Sequence, residues 1–352
     1  MIDKRFLGLG FTALKSNLTT LDKPYKLNFA VTYRCQSRCL TCNIWQMRPK
    51  GELELWEIQE FAKKNRYFKW IELTGGEVFL RNDIVDIARA FAENSKGLYI
   101  LTIPTNSLCN HDMVLKKLRE ILELGIPRVA ITVSLDGSRE MHDMVRGIVG
   151  NYDKAIAFFK SLMELKKEYK NLYFVFGYTL SKFNEGRFRE TFESVKNDIP
   201  EITYNDFHIN LGQLSDNYYS NSNVEIKAEK NIVEDEVKWL LKNRRYEFGS
   251  IAAIERVFLK NLVRYVETGK TPMRSRSLEA SVFIDSYGTV YPSIMWDRKI
   301  GNIRNSSYDL AQILKSKEAE EAMKELKSGN TPEFWTSCEA YQSIVGNLRS
   351  FL

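Results

Sequence analysis

Residues 26–42 read KLNFAVTYRCQSRCLTC, a short apolar run that leads into three cysteines. The run has the composition of a buried β-strand, and Cys35, Cys39 and Cys42 follow it with the spacing C-x3-C-x2-C. Thiolates bind zinc or iron–sulfur clusters, and structural zinc sites normally close with four ligands supplied as two pairs. The sequence contains no second C-x2-C pair. A cubane cluster held by three cysteines keeps one iron free of protein ligands, which leaves a position open for chemistry.

The strand pattern recurs up to residue 210. Strand-like runs alternate with segments of helical periodicity, which is typical of βα units around a parallel sheet buried on both faces. The predicted strands are 26–33, 70–76, 98–106, 128–137, 172–180 and 202–210, and the predicted helices are 54–66, 83–95, 111–124, 152–168 and 185–198. Six units are too few for a closed eight-stranded barrel, so we predict an open doubly wound sheet or a partial (β/α)6 TIM-like barrel. Both place the active site at the carboxyl ends of the strands.

The composition changes after residue 212. A polar loop, GQLSDNYYSNSN, is followed by two helical segments and then by ASVFIDSYGTVYPSI at 280–294, whose Tyr-Gly turn signal predicts a hairpin. We therefore predict an N-terminal helical extension at 1–25, a barrel at 26–215, a helical linker region at 216–270 and a smaller α+β module at 271–352.

The bulk composition indicates a soluble globular protein. The 352 residues are 44% hydrophobic, and the net charge of +6 comes from 51 basic and 45 acidic residues mixed along the chain, which gives no argument for nucleic acid. Apolar runs are only strand-length, so we expect neither a membrane span nor secretion. Five cysteines, of which Cys109 and Cys338 are isolated, do not resemble a disulfide framework and suit a reducing cytoplasm.

The N-terminal stretch KRFLGLGFTALKSNL is basic and somewhat amphipathic. It allows two interpretations. The first is contact with a membrane surface or a lipid-like substrate, which would make the protein peripheral at the membrane. The second, favoured by the two glycines and the few basic residues, is a helix packed across the bottom of the barrel.

The cysteine spacing after strand one resembles the signature of the radical S-adenosylmethionine (radical SAM) superfamily. The second strand ends in Gly75-Gly76-Glu77, which is similar to the family's GGE motif, whose backbone and carboxylate hold the methionine amino group of SAM. The third strand ends in Thr-Asn-Ser around Asn106, similar to the frequent Thr-Asn-Gly. The position before the third cysteine is often aromatic in the family and helps cover the adenine, but here it is Thr41. Tyr33 and Trp45 flank the loop and have two interpretations, replacement of that contact or packing within the barrel.

The fourth strand leads into SLDGSREMHDMVRG at 134–147. This stretch resembles the branch of the superfamily that carries C-terminal SPASM or twitch extensions. The resemblance implies that Ser134 and Asp136 lie on the SAM side of the site and that Arg146 reaches the SAM carboxylate. We interpret His142 as a structural hydrogen-bonding residue.

The C-terminal module also resembles that branch, whose extension binds auxiliary iron–sulfur clusters through cysteines. The residues that surround those cysteines in the branch are present here as FIDSYGTVYPSI and IGNI. However, Ser275 and Ser293 occupy the first two cysteine positions. Cys338 remains, with Ser337 and Ser343 nearby. Serine cannot replace thiolate in a stable cluster, so the module is expected to lack its auxiliary cluster and to act as a lid.

The resemblance implies a catalytic enzyme with one [4Fe–4S] cluster on Cys35, Cys39 and Cys42 and with SAM as the second cofactor. It implies reductive cleavage of SAM to a 5′-deoxyadenosyl radical that removes hydrogen from a substrate, with ferredoxin or flavodoxin as reductant. A peptide or protein substrate is slightly favoured, and a lipid or small metabolite is the alternative. A protein of another class, a non-catalytic iron–sulfur or regulatory module, is the rival interpretation.

Overall fold

The fold is organised around one mostly parallel sheet. The computed structural model describes residues 3–245 and 249–351, and within them nine strands pair in the order β6-β5-β4-β3-β2-β1-β7-β8-β9. The strands are β1 Lys26–Thr32, β2 Trp70–Gly75, β3 Ile100–Thr105, β4 Arg128–Ser134, β5 Leu172–Leu180, β6 Phe207–Leu211, β7 Ser281–Ile284, β8 Thr289–Tyr291 and β9 Gly301–Asn302. Strands β1 to β7 pair in parallel, whereas β8 and β9 are antiparallel additions. The predicted α/β fold is confirmed as a partial, unclosed barrel.

Helices connect the strands as the sequence pattern predicts. They are α1 Lys4–Leu18, α2 Leu55–Lys64, α3 Ile84–Asn94, α4 His111–Leu122, α5 Arg139–Arg146, α6 Asn151–Glu168, α7 Phe188–Asp198, α8 Lys230–Asn243, α9 Ser250–Thr268, α10 Leu310–Ile313, α11 Lys317–Ser328 and α12 Ser337–Val345. None of the helices in the described ranges is both long and apolar enough to cross a membrane.

The two faces of the strands differ in chemistry. On β1, Phe29 points outward and its ring lies 6.1 Å from that of Phe61 on α2 and 6.2 Å from that of Phe91 on α3. The alternate residue Asn28 points inward and pairs in register with Glu72 of β2. Because side chains alternate along a strand, the outer face forms the apolar core beneath the helices and the inner face is largely polar.

Two local predictions differ from the structure. The sixth strand begins at Phe207 rather than 202, because Thr203 and Asp206 form a capping box that turns Tyr204–Asp206 into a short 3-10 helix. The stretch Arg139–Arg146 is a helix that the sequence pattern does not predict, since its eight residues are too few to show a clear helical period.

The C-terminal residues continue the barrel sheet. Strand β7 pairs in parallel with β1, so β1 has hydrogen-bonded neighbours on both sides. Helix α12 lies against the inner faces of the strands: Glu339 accepts from Asn28 at 3.2 Å, Cys338 donates to Glu72 at 3.2 Å, and the Tyr341 ring lies 6.2 Å from that of Trp70. The predicted domain division stays a prediction, and its bounds at residues 1 and 352 lie outside the described residues.

The C-terminal residues also contact α2 through a salt bridge. Arg304 donates through Nε and Nη2 to the two Glu57 oxygens at 2.7 and 2.8 Å, and the Tyr308 hydroxyl donates at 3.0 Å. These hydrogen bonds from Arg304 lower the pKa of the buried Glu57 carboxyl from 4.5 to about 2.

We expect Glu57→Gln to lower the free energy of unfolding by about 2 kcal/mol at neutral pH, because it removes charge-assisted hydrogen bonds. A carboxyl with a depressed folded pKa stabilises the protein above its unfolded pKa, and that contribution is lost as pH falls toward the folded pKa. The difference between wild type and variant should therefore narrow from about pH 5 toward about pH 3 in urea unfolding. Glu60→Gln, at an exposed pair with Lys63, is the control. A difference independent of pH would contradict this explanation.

Candidate functional site

The three cysteines lie on one loop that follows β1. Cys35, Cys39 and Cys42 are all free and partly exposed. Each sulfur has a different polar neighbour: Asn106 Nδ2 lies 3.7 Å from Cys35, Arg146 Nη1 lies 3.8 Å from Cys39, and the Cys42 thiol faces the Tyr219 carbonyl at 3.9 Å. Burial raises the pKa of each thiol, that of Cys35 to about 11.

Three glycines allow other segments to touch this loop. A Cβ on Gly75 would lie 2.0 Å from the Thr32 carbonyl oxygen, and one on Gly76 would lie 2.2 Å from that of Arg34. Gly147, at φ +67°, approaches Arg38 in the same way. The backbone is tied at these points, since Gly76 N donates to Thr32 O at 2.8 Å and Arg38 N to Arg146 O at 2.9 Å. The loop is thus held between the end of β2 and the end of α5.

Glu77 connects the ends of β2 and β3. Its fully buried carboxyl accepts from Asn106 N at 2.7 Å, from Thr105 Oγ1 at 3.1 Å and from Phe79 N at 3.2 Å. Burial raises its pKa to about 7. The three predicted residues of the GGE motif and Asn106 therefore lie together beside Cys35. Contact of Glu77 with the SAM ammonium stays a prediction.

Asp136 and Arg146 form a buried pair next to Cys39. Asp136 Oδ2 lies 2.6 Å from Arg146 Nε, and Asp136 Oδ1 accepts from Thr179 N at 2.8 Å. His142 is fully buried and accepts from Asp136 N through Nδ1 at 2.9 Å, and burial lowers its pKa to about 3. This neutral imidazole has the geometry of a structural residue. Arg146 thus reaches both a carboxylate and a cysteine sulfur, while Ser134 is half-buried at the end of β4.

The loop at 212–223 covers the segment that carries Cys35, Cys39 and Cys42, here called the cysteine loop. This cover was not predicted from the sequence. The Tyr218 hydroxyl lies 2.7 Å from Thr74 Oγ1 and 2.9 Å from the Gly75 carbonyl oxygen, and it accepts from Gly75 N at 3.2 Å. The Tyr219 carbonyl accepts from Asn43 N at 2.9 Å, and Asn221 donates to Thr41 O at 2.9 Å. The only signal was a pair of tyrosines in a polar stretch. Of the predicted aromatic covers, Tyr33 is buried against Tyr218, whereas Trp45 is 38% exposed.

The sulfur atoms of the cysteine loop are suitable ligands for the [4Fe–4S] cluster that the sequence predicts. The cysteines supply three soft sulfur ligands, and Cys109 is separated from them by Gln36, which donates to its sulfur at 3.4 Å. Across residues 3–245 and 249–351, no three His, Cys, Asp or Glu side chains are gathered around a position for a metal ion. A cubane cluster takes its cysteines on separate irons.

Comparison with known proteins identifies this region. Residues 29–195 match the family model of the Radical SAM superfamily. These residues are a radical SAM domain. The superfamily consists of enzymes that use a [4Fe–4S] cluster and SAM.

Curated relatives match the radical SAM domain only in part. A GTP 3',8-cyclase from Erythrobacter litoralis is 36% identical over 31% of this chain and 33% of its own length. An Fe-coproporphyrin III synthase from Methanosarcina barkeri is 31% identical over 38% of this chain and 33% of its own length. The chain therefore spans about a third of the length of these relatives.

Solved structures extend the likeness of fold beyond the domain. A structure of anSMEcpe with bound AdoMet and the Kp18Cys peptide has a TM-score of 0.61 and 16% identity, covering 86% of this chain and 83% of that one. Streptococcus suis SuiB bound to precursor peptide SuiA has a TM-score of 0.57 and 13% identity, covering 90% and 70%. At this identity the likeness concerns the fold.

We expect Gly76→Ala to displace the cysteine loop of the radical SAM domain, because its methyl group would overlap the Arg34 carbonyl and press on Cys35 Cβ at 3.0 Å. After anaerobic reconstitution, iron bound per chain should fall several-fold. Gly10→Ala is the control, because its added methyl meets open space. Full iron loading of Gly76→Ala would show that the close approach does not shape the site.

Proposed function

We propose that this protein is a radical SAM enzyme, with Cys35, Cys39 and Cys42 as ligands of a single [4Fe–4S] cluster. The observation that carries the proposal is the assembly of the cysteine loop, the Gly75-Gly76-Glu77 turn and Asn106 at the carboxyl ends of β1, β2 and β3. When bound, the cluster and SAM supply the reductive cleavage that yields a 5′-deoxyadenosyl radical able to remove hydrogen from substrate.

The protein's own residues would bind and orient these cofactors. Gly75 and Gly76 permit close backbone approach, and Glu77 fixes the backbone of Asn106 next to Cys35. Burial raises the pKa of the Cys39 thiol and Asp136 adds to that rise, while the positive charge of Arg146, 3.8 Å from the sulfur, opposes it. Gly75, Gly76, Glu77, Asn106, Ser134, Asp136 and Arg146 are the residues we assign to the SAM side. Tyr33 and Tyr218 would exclude water.

The C-terminal module supports an enzyme without an auxiliary cluster. The buried Glu339 carboxyl accepts from Ser281 Oγ at 3.1 Å, Ile294 N at 3.3 Å and Gln342 Nε2 at 3.0 Å. Ser277 links Ser275 to the same carboxyl, and Ser293 lies beside it. A hydrogen-bonded carboxylate network therefore occupies the region where related modules hold cysteines.

A peptide or protein is the first candidate substrate, ahead of a lipid chain. The polar inner-face residues do not decide this choice, because Asn28 is bonded to Glu339, Glu72 to Cys338 and Asn210 to Thr336 in the C-terminal part of the chain. The anSMEcpe and SuiB structures contain peptides, which adds support by analogy of fold. A small metabolite is the second candidate, since the curated relatives include a GTP 3',8-cyclase.

The test is anaerobic reconstitution followed by iron analysis and a SAM-cleavage assay. We expect about four irons per chain and formation of 5′-deoxyadenosine under reductant. A variant with alanine at Cys35, Cys39 and Cys42 should bind no cluster and release no 5′-deoxyadenosine. About eight irons would show an auxiliary cluster. A fully loaded protein that leaves SAM intact under strong reductant would favour the non-catalytic iron–sulfur or regulatory rival.

This protein has a basic surface that suits the proposed reductant, an acidic ferredoxin or flavodoxin. From residue 34 to residue 51 the chain contains Arg34, Arg38, Arg48 and Lys50, all exposed, and no acidic residue. Leu40 and Trp45 add exposed apolar area on the same loop, at 39% and 38%. An acidic electron carrier would be attracted to this loop next to the cluster ligands.

Replacing these four basic residues by glutamate should slow cluster reduction by flavodoxin about tenfold or more at low salt, because it reverses the attraction. Reduction by dithionite, a small dianion, should slow much less than reduction by the acidic protein, and iron content serves as the check on folding. The control carries the same charge change on the exposed residues Lys116, Lys160, Lys170 and Lys196. Equal slowing in both variants would mean that net charge, and not this loop, governs the encounter.

A further inference from the structure

Helix α1 presents a second apolar face, which residues 3–245 and 249–351 leave exposed. Leu7, Phe11, Leu14 and Leu18 are 56%, 70%, 51% and 87% exposed. Their spacing of four, three and four residues places them on one side of the helix. The opposite side faces the barrel, where Ala13 and Ser16 are buried. We call Leu7, Phe11, Leu14 and Leu18 the α1 ridge.

The α1 ridge is held in a fixed position at the amino-terminal end of the barrel. Arg5 Nη1 donates to Gly125 O and Lys69 Nζ donates to Gly8 O, both at 2.8 Å. At the other end of the helix, Asn17 Nδ2 donates to Val345 O at 2.9 Å. Contacts at both ends keep the apolar side chains in one row.

The C-terminal turn contacts the carboxyl-terminal end of α1. Leu348 N donates to Asn17 Oδ1 at 2.8 Å, next to the end of the ridge. Leu348 and Phe351 are themselves 49% and 42% exposed. Exposed apolar residues that share one surface, as the four ridge residues do, mark an interaction site more often than scattered single residues do.

The border of the ridge is basic. Lys4 and Lys15 are exposed on one side of it, and Lys23, Lys96 and Lys170 are exposed in loops at the same end of the barrel. Acidic groups also lie at this end: Asp3 pairs with Arg5 at 3.0 Å, Glu168 pairs with Arg119 at 2.7 Å, and Asp22, Glu93 and Glu123 are exposed. The charged side chains on α1 nearest the ridge, Lys4 and Lys15, therefore complement a negatively charged partner.

We propose that the α1 ridge docks on the surface of an anionic lipid bilayer. Leu and Phe side chains enter the boundary between headgroups and acyl chains, while lysines beside them reach the phosphates. A second copy of the chain fits less well, because it would bring Lys4 and Lys15 of both copies to one interface. The carboxyl ends of the strands lie at the opposite end of the barrel, so docking leaves the cysteine loop accessible from the aqueous side.

Vesicle flotation of the cluster-loaded full chain tests the proposal. We expect the protein to float with vesicles of phosphatidylglycerol and phosphatidylcholine, to float poorly with phosphatidylcholine alone, and to dissociate as salt is raised. A variant with Leu7, Phe11 and Leu14 changed to Gln should bind at least about tenfold more weakly. Lys4→Glu with Lys15→Glu should weaken binding to the anionic vesicles only.

The matched control changes three exposed apolar residues elsewhere, Trp56, Met113 and Val149, to Gln, and should float like wild type. Iron content and thermal unfolding verify that every variant is folded. The proposal is overturned if wild type ignores anionic vesicles or if the ridge variant floats equally well. Light scattering gives a third contrary outcome: a wild-type dimer that the ridge variant converts to monomers would assign the ridge to a second copy.

Discussion

Strand β1 is paired in parallel on both sides, and the rest of the structure depends on this arrangement. Its outer residues hold α2 and α3 through Phe29, while its inner residue Asn28 reaches α12. Pairing with β2 on one side and β7 on the other fixes the direction in which the chain leaves at Thr32. The cysteine loop begins at that point, so its position follows from the sheet.

Hydrogen bonds and an ion pair made by buried carboxyl groups hold the site together. Glu77 joins the ends of two strands, and Asp136 with Arg146 joins β4 to α5 beside Cys39. Both carboxyls are buried and find donors, as buried charges must if the fold is to keep them. The same rule describes the C-terminal module, where Glu339 takes donors from β7, α12 and β1.

The sequence predicted those features that arise from short-range pattern. The apolar run KLNFAVTY and the spacing of Cys35, Cys39 and Cys42 located β1 and the loop, and strand ends located Glu77, Asn106 and Asp136. Parallel pairing of β7 with β1 has no local signal, because the two strands are distant in the chain. The contact of Tyr218 with Gly75 is equally non-local, so a polar loop could not be distinguished in advance from a cover over the site. The α1 ridge was visible only as weak amphipathicity, since solvent exposure depends on what packs against the helix.

The pairing of β1 with β7 also has a consequence for the order of events during synthesis. Residues 26–211 can form their βα units as they emerge, but one edge of β1 has no partner until residues 281–284 are made. An unpaired edge of this kind is prone to intermolecular pairing, and non-local strand pairing is slow. Over the same interval α12 has not yet covered the inner faces of β1 and β2, so the nascent barrel remains more open than the finished one.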